Sequence, residues 1–109
     1  MRTRHVIVDN ETTATGPDAV LLSIGAVAVE IEQGRARVLG SWYRRLVHFP
    51  ADVQQPGRAV TKDTLRWWFN QDAAAFQEAF MTPGRIALPL AMHSLSSWLA
   101  LNPYPIWGN

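Results

Sequence analysis

The sequence predicts an α/β fold: a three-stranded antiparallel meander, followed by helices and the start of a fourth strand. Three observations predict it. Apolar, β-branched runs separated by turn signals fill the first half; residues 61–99 change to helical spacing; and Ile106-Trp107 resumes an extended apolar pattern after a Pro-rich turn.

Residues 6–8 are a short β-branched run that reads as a buried strand ending near Asp9. Residues 12–18, with Gly16-Pro17, form a loop. The next stretch, AVLLSIGAVAVEI, is apolar on both alternating faces, as expected of a central strand covered on each side. Gly25 weakens strand propensity in its middle, which predicts a close approach to the backbone there. Gln33-Gly34 supplies a turn, and RVLGSWYRRLVHF reads as the third strand. Residues 50–58 read as an irregular linker. Thr61 is placed to cap a helix running to about Gln71, with Asp63 complementing its dipole and Leu65, Trp68 and Phe69 at core spacing. Asp72 caps a second helix, AAAFQEAF, which ends before Pro83-Gly84. Leu88, Ala91, Met92, Leu95, Trp98 and Leu99 make the apolar stripe of a third, with Pro89 in its first turn.

The chain has 109 residues, 48% of them hydrophobic and 17% charged, and a formal charge of +1. Neither a disordered tail nor a strongly basic nucleic-acid wrapper fits that balance. Cysteine is absent, which removes disulfides and thiolate metal sites and fits a reducing cytoplasm. The apolar run near the start is too short for a signal segment, and no stretch reaches the length of a membrane span. The expectation is a cytoplasmic protein without membrane contact.

Asp9 and Glu11 are the candidate chemistry. Alternation along a strand puts residues two apart on one face, about 6–7 Å from each other. Carboxylates that close repel unless a proton or cation intervenes. Oxygen donors of this kind suit Mg²⁺ or Mn²⁺. Such a pair, with partners from elsewhere, holds divalent ions for phosphodiester cleavage. Taken alone, an Asp-x-Glu is more often a solvated pair at a strand-loop junction, so its neighbours decide the reading.

Those neighbours are distinctive as a series. VIVDNETTATGPDAVLLSIGAVAVEI closely resembles the opening of the DEDD-type 3'-5' exonucleases of the ribonuclease H-like superfamily, in the exodeoxyribonuclease VIII-like or phage-type branch. The likeness rests on Asp9, Glu11, Thr12, Gly16, Pro17 and the strand Leu22-Ser23-Ile24-Gly25-Ala26-Val27. GRAVTKDTLRWWFNQ is similar to the branch's Gly-Arg linker and Trp-Trp helix, and IWGN to the lead-in of its second acidic motif. The resemblance implies a ribonuclease H-like fold and two-metal-ion release of nucleotides from the 3' end of single-stranded or 3'-terminal DNA or RNA. Asp9 would bridge both Mg²⁺ or Mn²⁺ ions; Glu11 would bind one and position the attacking water; Thr12 and the following loop would approach the terminal nucleotide. Asn10 stands where the family has an apolar residue, with its side chain turned away from the metals. The family's third and fourth acids and its base have no counterpart here. Residues 1–109 are therefore expected to be the amino-terminal part of a truncated exonuclease domain, poorly active or inactive alone, with an exposed sheet edge beside residues 6–9 that favours a homodimer. The alternative is a non-catalytic nucleic-acid- or protein-binding module on the same scaffold.

Trp67 lies off the Leu65-Trp68-Phe69 stripe; it is the candidate for base stacking, against the plainer alternative that it packs on a loop or another helix. Arg58 is the candidate phosphate contact, ahead of Lys62 and Arg66. Arg44 and Arg45 alternate faces, one of them guarding a strand edge. His5, His48 and His93 fit no metal spacing. Trp107 and Asn109 are expected to anchor the last strand.

Overall fold

The computed structural model describes residues 1–108. Strand β1 (Arg2–Thr12) pairs antiparallel with β2 (Leu21–Glu32), and β2 with β3 (Arg35–Leu46). The predicted meander is thus present. Its second turn places Gln33 at φ 51° and Gly34 at φ 75°. Both lie in the left-handed region that a two-residue hairpin loop needs to match strand twist, and glycine adopts it without a Cβ clash.

The chain then adds α1 (Ala51–Gln54), α2 (Lys62–Phe69) and α3 (Ala73–Phe76), the last running into a π-helical turn over Gln77–Met81. Strand β4 (Arg85–Ile86), helix α4 (Leu88–Leu101) and strand β5 (Ile106–Gly108) follow. Sheet order is β4-β3-β2-β1-β5, with β4 parallel to β3 and β5 parallel to β1.

Alternation divides the sheet into two faces. One presents Val6, Ile24, Ala26, Ala28, Trp42 and Leu46, all buried, against Ala91 and Leu95 of α4. Trp42 fits there because its indole Nε1 donates to Ser94 Oγ at 2.9 Å, satisfying a polar atom that burial would otherwise penalise. The opposite face is covered in part by α2 and the α3 segment. Register shifts between the pairs Glu11–Ser23 and Thr12–Leu21, leaving Leu22 as the extra residue of a bulge. Leu22 is thereby turned into a second cluster with Trp68 and Ala79, while Leu21 packs on the first.

Several expectations are corrected. Ile106-Trp107 begins the fifth strand in chain order, because Arg85–Ile86 forms an unforeseen β4; two residues beside Pro83-Gly84 carry no readable period. The edge beside β1 is occupied by β5 itself. The 50–58 linker contains α1. Thr61 stands at the N-cap, yet its hydroxyl bonds Thr64 Oγ1 and Thr13 O rather than a helix amide. Phe69 and Met92 are 68% and 47% exposed rather than core. Phe69 instead stacks at the surface on Phe76, centroids 5.4 Å apart. Arg45 guards no open edge, since β4 pairs there. Asn109 lies outside the described residues. No described helix is long and apolar enough to cross a membrane.

Candidate active site

Two rungs of the sheet build the site. Asp9 lies across from Gly25, and Gly25 across from Tyr43; Glu11 lies across from Ser23, and Ser23 across from Arg45. Residues of one rung share a face, so the five side chains of these two rungs project from the side away from α4, with Gly25 bare between them. The carboxylates of Asp9 and Glu11 are consequently not splayed to opposite sides: both line one cleft of about 520 Å³, whose far wall carries Trp67, Trp68, Gln71 and Glu78. Burial first, and the neighbouring Asp9 charge second, raise the Glu11 carboxyl above the usual range. That is the signature of two acids sharing partly dehydrated space. No described arginine forms an ion pair with Glu11.

A second cleft, of about 820 Å³, shares Glu11, Trp67 and Trp68 with the first and extends to Thr12, Ala14 and Gly16-Pro17. The floor between them is held firmly. Trp68 is 6% exposed, and its Nε1 donates to Thr12 O at 2.8 Å, tying α2 to the end of the carboxylate strand. The loop after β1 is closed by Thr13 N donating to Val20 O at 3.1 Å and by Thr61 N donating to Thr13 O at 3.0 Å.

Of the residues singled out in the sequence, Asp9, Glu11 and Trp67 come together. Trp67 is 54% exposed, borders both clefts, and meets Trp68 edge-on at 4.9 Å. Thr12 lines the second cleft, with its hydroxyl donating to Ala14 O at 2.7 Å. Arg58 lines neither; its Nη1 donates to Ala19 O at 3.1 Å and so clasps the loop. Sequence reasoning missed Tyr43, Arg45 and Glu78. Glu78 accepts from Arg45 Nε at 2.7 Å, from Arg45 Nη2 at 3.2 Å and from the Tyr43 hydroxyl at 2.7 Å. Arg45, then Tyr43, hold its carboxyl at about 2. Only the Gly25 signal pointed this way, and Tyr43 became visible once strand pairing set it opposite that glycine.

The donor set is two carboxylates, and among the described residues no group of three or more His, Asp or Glu is placed to hold a metal. Hard oxygen donors in an accessible cleft fit Mg²⁺ or Mn²⁺, which commonly retain several waters beside one or two carboxylates.

The family model of the Rv2179c-like 3'-5' exoribonuclease domain matches residues 4–109. The chain belongs to that family. A search of curated proteins found no match. Among solved structures, a crystal structure of cell-death related nuclease 4 (CRN-4) aligns with a TM-score of 0.53 at 14% identity, covering 96% of this chain and 33% of that one. At that identity the likeness concerns the fold, and the chain spans about a third of CRN-4's length. The family assignment agrees with the sequence expectation of a 3'-5' exonuclease domain.

Proposed function

We propose that this chain forms the metal-binding and nucleotide-binding cleft of a 3'-5' exoribonuclease of ribonuclease H-like, DEDD type. The observation that carries the reading is the joint placement of Asp9 and Glu11 in one cleft beside the exposed Trp67. Family membership supports RNA as the substrate class.

Asp9 and Glu11 would hold Mg²⁺ or Mn²⁺, which when bound would activate water and offset charge on the scissile phosphate. The protein's own contributions follow from its geometry. The two carboxylates set the place of the scissile phosphate at the end of β1. Trp67 offers a stacking face to a neighbouring base, and the Thr12 loop borders the path of the strand. Arg58 acts by fixing that loop. With two acids as the ligand set, metal affinity and turnover of this chain by itself are expected to be low.

The test is release of nucleotides from a 3'-labelled single-stranded RNA with Mg²⁺ or Mn²⁺, compared between the wild-type chain and Asp9→Asn. That substitution keeps the shape and removes a ligand charge, so release is expected to fall by at least about a hundredfold, while thermal melting stays close to wild type. Metal-dependent release that is equal in the two proteins would end the assignment. Binding of RNA that is indifferent both to Mg²⁺ or Mn²⁺ and to Asp9→Asn would favour the non-catalytic module.

A further inference from the structure

Between Asp9 and Tyr43 on their shared rung stands only Gly25, so no side chain rises from the middle strand. Two strand spacings separate the outer residues, about 10 Å. The result is a slot with a carboxylate on one side, an aromatic ring on the other and glycine as its floor. Tyr43 leans over that floor: its Cδ1 would lie 3.5 Å from a Cβ built on Gly25.

The ring is at once exposed and held. Tyr43 is 43% exposed, yet its hydroxyl donates to Glu78 at 2.7 Å, and the Arg45 guanidinium sits 5.4 Å from the ring centroid while gripping the same carboxylate through two nitrogens. The backbone presenting Glu78 is anchored in turn. Arg85 donates to Glu78 O at 3.2 Å and Ala79 O at 2.8 Å, and its other terminal nitrogen donates to Leu22 O and Leu46 O of the sheet. An aromatic group fixed at its tip, 43% exposed and lining the cleft, has already lost the freedom that binding would otherwise cost.

We propose that Tyr43 is a substrate-contacting residue, packing its exposed ring surface against the nucleoside whose phosphate lies at Asp9 and Glu11, with Glu78, Arg45 and Arg85 as positioning residues acting through it. The proposal rests on the nuclease reading above and adds a determinant from β3 opposite the α2 tryptophan. Stacking tolerates every base but favours the larger purine surface, so purine nucleotides are expected to be preferred over pyrimidine ones.

Calorimetric titration of the full chain with adenosine and uridine 5'-monophosphate, in Mn²⁺, tests it. Tyr43→Ala is expected to weaken adenosine monophosphate binding by about tenfold and to erase the preference over uridine monophosphate. Tyr43→Phe and Glu78→Ala should each weaken it by about threefold. Their double variant should be no weaker than either single, because both remove one tether. Unchanged affinity in Tyr43→Ala and Tyr43→Phe, with wild type binding normally, would overturn the role of Tyr43 and leave the nuclease reading standing. Lower melting temperatures in Tyr43→Phe and Glu78→Ala with intact affinity would make the cluster a structural brace and equally overturn it. Failure of the wild-type chain to bind either nucleotide in Mn²⁺, where Asp9→Asn behaves identically, would reject both readings together.

Discussion

Gln55 is 2% exposed, and its amide is matched atom by atom to the backbone around it. Nε2 donates to Leu21 O at 2.8 Å and to Val47 O at 3.1 Å, while Oε1 accepts from Leu21 N at 2.8 Å. Gln55→Glu would turn the donating nitrogen into an oxygen facing two carbonyl oxygens. A loss of about 2–3 kcal/mol is expected, read as a lower urea midpoint. Gly25 behaves in the opposite manner. An added Cβ would meet Tyr43 Cδ1 at 3.5 Å and Asp9 O at 3.8 Å, which are ordinary contacts. Gly25→Ala is therefore expected to keep the fold and to gain roughly 0.5 kcal/mol, since glycine is costly inside a strand. Nucleotide binding should nonetheless fall, because the methyl group rises into the slot. A stability loss as large as that of Gln55→Glu would show that the slot is not open. The sequence made Asp9 and Glu11 legible because their spacing is local. Gln55 looked like one more linker residue, since its partners Leu21 and Val47 lie at the start of one strand and just past the end of another, brought together only by folding.

Helix α3 changes to a π turn at Gln77, and Thr82 N closes it by donating to Gln77 O at 2.8 Å. Wider turns of this kind are rare and depend on outside support. Arg85 supplies it, binding the turn's Glu78 and Ala79 carbonyls to the Leu22 and Leu46 carbonyls with one guanidinium. Arg85→Ala leaves those acceptors without their charged donor, and a loss of about 2–4 kcal/mol is expected. The diagnostic readout is local. Hydrogen exchange should accelerate across residues 77–82 while the long β1–β2 ladder keeps its protection; uniform acceleration would mean that the turn is not a separable unit. Long elements were readable from periodicity: the meander, the α2 start and the α4 span fall where the pattern put them. The two-residue β4 and the π turn were not, because neither has a period of its own. Phe69 and Met92 misled for a related reason. Helical spacing marks an apolar stripe, but the width that a neighbouring element covers is set by tertiary packing.

At the scale of the whole molecule, the radius of gyration is 15.4 Å and the extents are 46 × 29 × 25 Å, against about 13 Å for a compact chain of this length. The chain is elongated, and on the site face Ile7 and Trp107 remain 45% and 60% exposed. The sheet is therefore open and partly solvated, and three groups, Glu11 and Glu78 in the cleft and His48 outside it, give the fold's stability a pH dependence of mixed sign. Burial, then Arg85, lowers the His48 pKa, so its contribution is present above the ordinary imidazole value and is lost as pH falls from there through the lowered value of the folded state. Glu78, held at about 2 by Arg45 and Tyr43, contributes above the ordinary carboxylate value and loses that contribution as pH falls toward 2. Glu11 runs the other way. Its raised carboxyl penalises the fold when ionised, and the penalty is relieved on acidification, completely so below the unfolded value near 4.5. A difference curve isolates it: unfolding free energy of Glu11→Gln minus wild type, measured in a chelator across pH, cancels His48 and Glu78. The variant is expected to be more stable at neutral pH by on the order of a few tenths of a kcal/mol, given solvent screening of so exposed a group, and the difference should vanish toward pH 4.5. Adding Mn²⁺ at neutral pH should reverse the order, because a cation held by Asp9 and Glu11 stabilises only the protein that retains both charges. A flat difference curve, or one indifferent to Mn²⁺, would mean that the two carboxylates do not act on a common space.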